Sequence, residues 1–372
     1  MSITNYLTFA GGLGLLLYGI KLMGEGLELA AGSRLKHLLE KMTKNRFLAV
    51  LVGFLITTLI QSSSATTVMV VGFVNTGLMN LTQAIGVIMG ANIGTTTTSV
   101  LVSLNLTGIA PIAIFIGAFM ILFAKKNSLK YVGQALAGFG MLFMGMELMQ
   151  NAMDPLKDSE VFRNWIINAD NPLVGILIGA GVTGVIQSSA ASVGILQALA
   201  SQGLVPLSFA VYIIFGQNIG TCVTALLSTI GTKTNSKRTA VMHILFNVIG
   251  TVVFVVISTF LPFTKWIQAM SDNVMMQISL VHIIFNVVST IIMFPFAGAL
   301  VKLSCILVPD KKGKEDDGMH LQFIDERMLN TPPLAVVQVG KEVLRMAALA
   351  RRNFDIASSD LINKEIKHFD EV

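Results

Sequence analysis

The stretch Gln61-Ser62-Ser63-Ser64-Ala65 recurs 126 positions later as Gln187-Ser188-Ser189-Ala190-Ala191, and Asn92-Ile93-Gly94-Thr95 recurs at the same offset as Asn218-Ile219-Gly220-Thr221. Between Gly53 and Thr98, 18 of 46 positions match their partner without a gap. The register extends back to the first apolar segment, where Gly12, Leu16 and Gly19 match Gly138, Leu142 and Gly145. Small polar residues inside duplicated apolar segments imply a chain built from two repeats, with its site where the repeats meet.

Composition sets the environment. The 372 residues are 53% hydrophobic and only 13% charged, against about a quarter charged in a soluble domain. No Asp, Glu, Lys or Arg occurs from Phe47 to Ala124 or from Asn171 to Thr232. Both runs far exceed the roughly 20 residues that span a bilayer core. The chain is therefore an all-α polytopic membrane protein, in contact with the lipid bilayer. Its net charge of +5 comes from basic loops and is not a nucleic-acid footprint. Cys222 and Cys305 have neither metal-ligand nor redox spacing and read as packing residues. No positive segment precedes the first apolar run, so a cleaved signal peptide is not expected.

Loop charge orients the chain, because Lys and Arg beside membrane spans stay in the cytoplasm. Arg34, Lys36, Lys41, Lys44 and Arg46 form one basic cluster, Lys125, Lys126 and Lys130 a second, and Lys233, Lys237 and Arg238 a third. Lys302, Lys311, Lys312 and Lys314 follow the last apolar stretch, whereas Asp154, Asp158, Glu160 and Asp170 make the 151–170 loop acidic and external. The loop around Lys265 and Asp272 is placed outside as well. The basic loop before Gln61 thus corresponds to the acidic loop before Gln187, so each repeat starts on the opposite side from its twin. That is inverted topology, with the amino terminus outside and the carboxyl end cytoplasmic.

A path follows from the lengths. One helix from Leu48 to Leu78 would be about 47 Å long against a core of about 30 Å, so this run is expected to fold back as a re-entrant hairpin with Gln-Ser-Ser at its tip. A second hairpin is expected near Pro172 to Gly203. Crossing helices are expected near Leu7–Gly24, Gln83–Leu104, Ile109–Ala124, Tyr131–Gln150, Leu207–Ile230, Thr239–Leu261 and Gln277–Val308. The helix Gln83–Leu104 and its twin Leu207–Ile230 are expected to be broken, the first at Gly90 to Thr97. About seven transmembrane helices plus two hairpins result. They divide into a first repeat (1–136), a second repeat (137–261), a final helix (262–309) and a polar helical tail (310–372).

Irregular backbone at membrane depth is tolerated only where protein covers it or where it lines a polar cavity. A half-helix starting at Ser62 or Ser188 aims unpaired N–H groups and the positive end of its dipole at the midplane. The hydroxyls of Ser62, Ser63, Ser64, Thr66, Ser188, Ser189 and Ser192 add donors suited to a tetrahedral oxyanion. The oxygens of Gln61, Gln187, Asn92, Asn218, Thr95 and Thr221 are hard neutral ligands suited to a monovalent cation, in practice sodium. Missing carboxylates argue against proton coupling. A lone Ser-Ser-Ser in a membrane helix is ordinarily helix glue, but duplication in register with Asn-Ile-Gly-Thr favours a site. His243 with Asn247, and His282 with Asn286, echo each other 39 residues apart, as relay or as scaffold. Lys21, Glu25 and Glu28 are read as snorkelling to the interface. Ser62 and Ser188 lack a G-x-S-x-G elbow, so no hydrolytic enzyme is expected.

At these residues the chain resembles the type II sodium-dependent phosphate cotransporters. The resemblance rests on the two Gln-Ser-Ser phrases, each followed by Asn-Ile-Gly-Thr, and covers roughly residues 9–305. It implies phosphate and sodium sites at the paired Gln-Ser-Ser regions, with sodium as co-substrate and no cofactor. The expected function is sodium-coupled phosphate symport. A proton-coupled or export-type carrier, another oxyanion such as sulfate, and a phosphate-sensing regulator are the alternatives. In bacterial members a PhoU-like cytosolic domain often follows, and residues 320–372 are similar to its first part. A PhoU-like partner or a second copy of the chain is accordingly an expected associate. One departure stands out: Ala190 carries no hydroxyl where Ser64 does.

Overall fold

The computed structural model describes residues 2–31, 45–104, 106–156, 171–310, 321, 323–324 and 332–363, and among these the regular structure is helical throughout. The order begins α1 (Ile3–Ala31), α2 (Arg46–Ile60), α3 (Ser63–Asn75), α4 (Leu81–Ser103), α5 (Ala110–Phe123) and α6 (Asn127–Met153). It continues with α7 (Pro172–Ile186), α8 (Ser189–Ser201), α9 (Leu207–Gly220), α10 (Cys222–Ser228) and α11 (Thr234–Phe260). It ends with α12 (Phe263–Met270), α13 (Val274–Met293), α14 (Ala297–Leu307) and α15 (Pro332–Asn363). Among the described residues, six helices are long and apolar enough to cross a bilayer: α1, α4, α6, α9 continued by α10, α11 and α13. The seventh expected crossing is the shorter apolar helix Thr107–Phe123. The basic cluster from Arg34 to Lys44, residues 157–170, Asn105, and Lys311, Lys312 and Lys314 lie outside the described residues.

Close helix packing is made possible by glycines at duplicated positions. A Cβ on Gly53 would strike the Val87 carbonyl of α4, and one on Gly90 the Val50 carbonyl of α2. The same contacts recur 126 residues on, Gly179 against Ile213 and Gly216 against Ile176. Small residues let helix backbones approach where lipid supplies no hydrophobic drive between helices. The first helices of the two copies use the same device on each other. Gly12 lies against Gly145, and Gly19 against Gly138, so α1 and α6 run antiparallel with matched positions exchanged.

Two expectations about helix continuity are corrected. The α4 helix is unbroken from Leu81 to Ser103. Its Gly90 and Gly94 admit α2 rather than unwind, and the hydroxyls of Thr95, Thr96 and Thr97 bond back to Ala91, Ile93 and Gly94 carbonyls of the same helix. In the second copy α9 and α10 part at Thr221, yet that residue keeps helical angles (φ −58, ψ −25) and its N–H still reaches the Gln217 carbonyl. The break expected in this copy is thus present, as a single residue between two helices. The expected final helix Gln277–Val308 is two helices, because Pro295 removes an N–H and disfavours helix before it. The α12 helix was read as loop; its Phe263 and Ile267, one turn apart, are buried against the Phe254 and Phe285 core.

Contacts divide the bundle into two ends. At one, Asn5 donates to the Ala152 carbonyl, Gln150 to Ser201, and Asn273 to the Ser103 carbonyl. At the other, the Lys233 N–H reaches Asn75, Ser236 donates to Val71 O, and Arg238 bonds the Val308 carbonyl and Asp310. The pairs α2–α3 and α7–α8 are each 15 and 13 residues long, so at 1.5 Å per residue neither member reaches across a core of about 30 Å.

Gly90→Ala should lower thermal stability in detergent by an amount typical of overpacking, about 1–3 kcal/mol. Gly14→Ala, where a Cβ meets nothing within 4 Å, should leave the unfolding temperature unchanged.

Candidate functional site

Each Gln-Ser-Ser phrase is a tight reversal between two short helices. Gln61 closes α2 in the left-handed region (φ 57, ψ 27), and Gln187 closes α7 in the same way (φ 56, ψ 22). They are the non-glycine residues with positive φ among the described residues. Such a conformation costs on the order of 1–3 kcal/mol and persists where the surroundings demand it. The next residue is extended in both copies, Ser62 at φ −147, ψ 106 and Ser188 at φ −136, ψ 106. Each then caps the following helix, Ser62 Oγ accepting from Ala65 N–H and Ser188 Oγ from Ala191 N–H.

The consequence is electrostatic. The first N–H groups of α3 and α8 have no partner within their own helices. Ser62 and Ser188 use lone pairs for capping, so their own hydroxyl protons remain available to a ligand. The two tips share one cavity of about 420 Å³, bounded by Gln61, Ser62, Ser63 and Ser64 on one side and by Gln187, Ser188 and Ser189 on the other. Thr95 and a face of α1 complete it. Eight of the expected site residues thus meet in one place. Asn92, Asn218, Thr221, Thr66 and Ser192 are buried but do not line this cavity.

Those five form a supporting layer. Thr57 donates to Thr66 (3.0 Å) and Thr183 to Ser192 (2.8 Å), tying both arms of each reversal together at matched positions. Asn92 Oδ1 lies 3.2 Å from His243 Nε2, and Asn218 Oδ1 accepts from Asn286 Nδ2 at 3.1 Å. The two His-Asn pairs therefore serve different partners: one copy uses the histidine and the other the asparagine. Asn247 donates to Cys222 Sγ, and His282 is buried without a polar partner at Nδ1. Thr221 donates back to the Gln217 carbonyl.

Side chains break the symmetry that the backbone keeps. Gln61 is buried, accepting from Thr98 Oγ1 (2.7 Å) and donating to the Thr58 carbonyl (2.6 Å). Its twin Gln187 is exposed to the cavity. Thr224, the twin of Thr98, instead lies 3.1 Å from Ser64 Oγ. Because Thr224 gives its one proton to the Thr221 carbonyl (2.9 Å), Ser64 is the donor, and its proton is directed away from the cavity. Ala190 has no equivalent bond to offer Thr98. Sequence reading missed Thr98 and Thr224, although both belong to the matched positions at the 126 offset. It also missed that Lys21, Glu25 and Glu28 line the cavity.

A profile of the Na+/Pi-cotransporter family matches residues 15–151 and 157–299, and each segment contains one reversal. The chain belongs to that family. It is 28% identical over 300 residues to the uncharacterized protein YqeW of Bacillus subtilis, covering 79% of this chain and 95% of that one. It is 27% identical over 337 residues to the "Putative inorganic phosphate export protein YjbB" of Salmonella typhimurium. That match takes in 89% of this chain but 61% of the relative's length. Over 64 residues it is 45% identical to sodium-dependent phosphate transport protein 2A of Ovis aries, which is 17% of this chain and 10% of the sheep protein. No solved structure matches the chain. Family membership and the apolar helices make it a multi-pass membrane protein of phosphate transport.

The Ser64–Thr224 tie generates a test within the family framework. In a double-mutant cycle of Ser64→Ala and Thr224→Val, thermal stability in detergent should show a coupling of about 0.6 kcal/mol, the usual worth of such bonds in membrane bundles. Additive losses would mean that the two hydroxyls do not interact.

Proposed function

We propose that this chain is a secondary active transporter that carries inorganic phosphate together with sodium by alternating access, with the anion held between the two serine reversals. The observation that carries this reading is the shared cavity of about 420 Å³ between two helix N-termini with closely similar backbone geometry. Phosphate is tetrahedral, anionic and rich in acceptors. Paired N-termini supply donors and positive dipole ends from two directions. Ser62, Ser63, Ser188 and Ser189 add hydroxyls. Gln187, free of other partners, and Thr95 are the neutral oxygens nearest to hand for sodium, with Gln61, Asn92, Asn218 and Thr221 bracing the reversals from behind.

Alternating access follows from the proposed inverted repeats. The antiparallel exchange of matched glycines between α1 and α6 supports that relation. So do the short helix pairs, which on this reading are re-entrant hairpins. The basic residues Lys233 and Arg238 at one end of the bundle support a cytoplasmic assignment for that end, with the amino terminus outside. On that assignment the cavity, which reaches Glu25 and Glu28 on the later part of α1, is open to the cytoplasm. The name of the YjbB relative favours outward transport as a second reading; the sheep relative's name favours sodium coupling.

Radiolabelled phosphate flux in proteoliposomes tests both. Uptake should require an inward sodium gradient, should not be driven by potassium or by a pH gradient, and should be blocked by cold phosphate but not by sulfate. Efflux from phosphate-loaded vesicles that exceeds uptake under mirrored gradients would select the export reading. No sodium-dependent flux in either direction would refute symport. Ser62→Ala and Ser188→Ala should each raise the apparent KM for phosphate about 3- to 10-fold, as expected from one lost hydrogen bond of about 0.5–1.5 kcal/mol; unchanged kinetics would remove them from the site.

A further inference from the structure

We infer that Lys21 is a direct ligand of the transported oxyanion, held beside Glu25 until the anion arrives. The inference rests on the phosphate-carrier reading above and adds a charged residue to a site otherwise built from neutral donors.

Its basis is the level of Lys21 within the fold. The cavity-facing residues of α1 are Leu17, Ile20, Lys21, Gly24, Glu25 and Glu28, at helical spacing. At Gly24 the helix touches the first reversal: a Cβ there would lie 2.6 Å from the Ile60 carbonyl and 3.5 Å from Gln61 Cβ. Lys21 is almost one turn further from the α1 C-terminus than that contact, and Glu25 and Glu28 lie on its other side. At that level its side chain bounds the cavity beside the first reversal, in addition to any reach toward the interface. A charged side chain at membrane depth is costly and is retained where it faces a polar cavity or a partner. Lys21 does both.

Charge balance points the same way. Among the described residues that bound the cavity, Lys21 is the one basic residue. Its ammonium is 3.7 Å from Glu25 Oε1, with both side chains more than half accessible (68% and 51%). An exposed pair at that distance is weak and is readily exchanged. A phosphate oxygen offers a shorter charge-assisted bond, while Glu25 is released facing the cavity. The arrangement is one-sided: the twin of Lys21 is Glu147, so only the first copy supplies a cation.

Two readouts test this. In proteoliposomes at saturating sodium, Lys21→Gln should raise the phosphate KM about tenfold with Vmax within a factor of two, and Lys21→Arg should recover most of the loss. Glu25→Gln should shift KM the other way, about twofold lower, because the competing carboxylate is gone. A Lys21→Gln protein with wild-type KM overturns the inference, and an unshifted Glu25→Gln overturns the role of the pair. Independently of transport, Lys21→Cys in a Cys305→Ser background should be protected by phosphate from a cationic methanethiosulfonate reagent in detergent. Protection without any flux would contradict the carrier reading while keeping Lys21 at the anion site; flux without protection would do the reverse.

Discussion

Everything in this molecule turns on the cost of ending a helix inside an apolar bundle. At Gln61 and Gln187 the chain enters the left-handed region, reverses, and restarts at a serine cap. The exposed N–H groups that result would be prohibitive against lipid. They are tolerable beside a polar cavity, and the rest of the fold is arranged to provide one. Glycines bring α2 against α4 and α7 against α9, and the hydroxyl pairs Thr57–Thr66 and Thr183–Ser192 hold the arms together. The Asn92–His243 and Asn218–Asn286 contacts anchor the following helices from behind.

The two copies agree in backbone and differ in how their hydroxyls and charges are used. Gln61 accepts from Thr98, whereas Thr224, the twin of Thr98, gives its proton to the Thr221 carbonyl and accepts from Ser64. Ser64 also has no hydroxyl counterpart, since its matched position is Ala190. Lys21 and Glu147 differ in charge sign at equivalent places. A carrier that exchanges the roles of its two halves would thus move between states of unequal energy. A bond worth about 0.6 kcal/mol biases such an equilibrium by roughly threefold, enough to tune it without locking it.

Much of this was legible in the sequence. Duplicated phrases, charge-free runs and loop composition lead to a helical membrane protein with a site at two serine reversals, and the structure brings eight of those residues into one cavity. The break expected in α4 does not occur, for a definite reason: Gly90 and Gly94 read as unwinding signals, but in a membrane bundle glycine also serves close approach. The difference depends on what lies opposite, here the Val50 carbonyl and Thr57. That Lys21 bounds the cavity was not legible beforehand, because its level along α1 relative to a distant reversal is a tertiary property. The Ser64–Thr224 bond spans 160 positions, and only its ingredients, an unmatched serine and a matched threonine, were visible beforehand.

The central claim is that both reversals share one oxyanion. A structure of the protein with phosphate and sodium bound tests it most directly. The account predicts a single tetrahedral density between Ser62–Ser63 and Ser188–Ser189, within hydrogen-bonding distance of both. Density on one reversal alone, or elsewhere in the bundle, would contradict it.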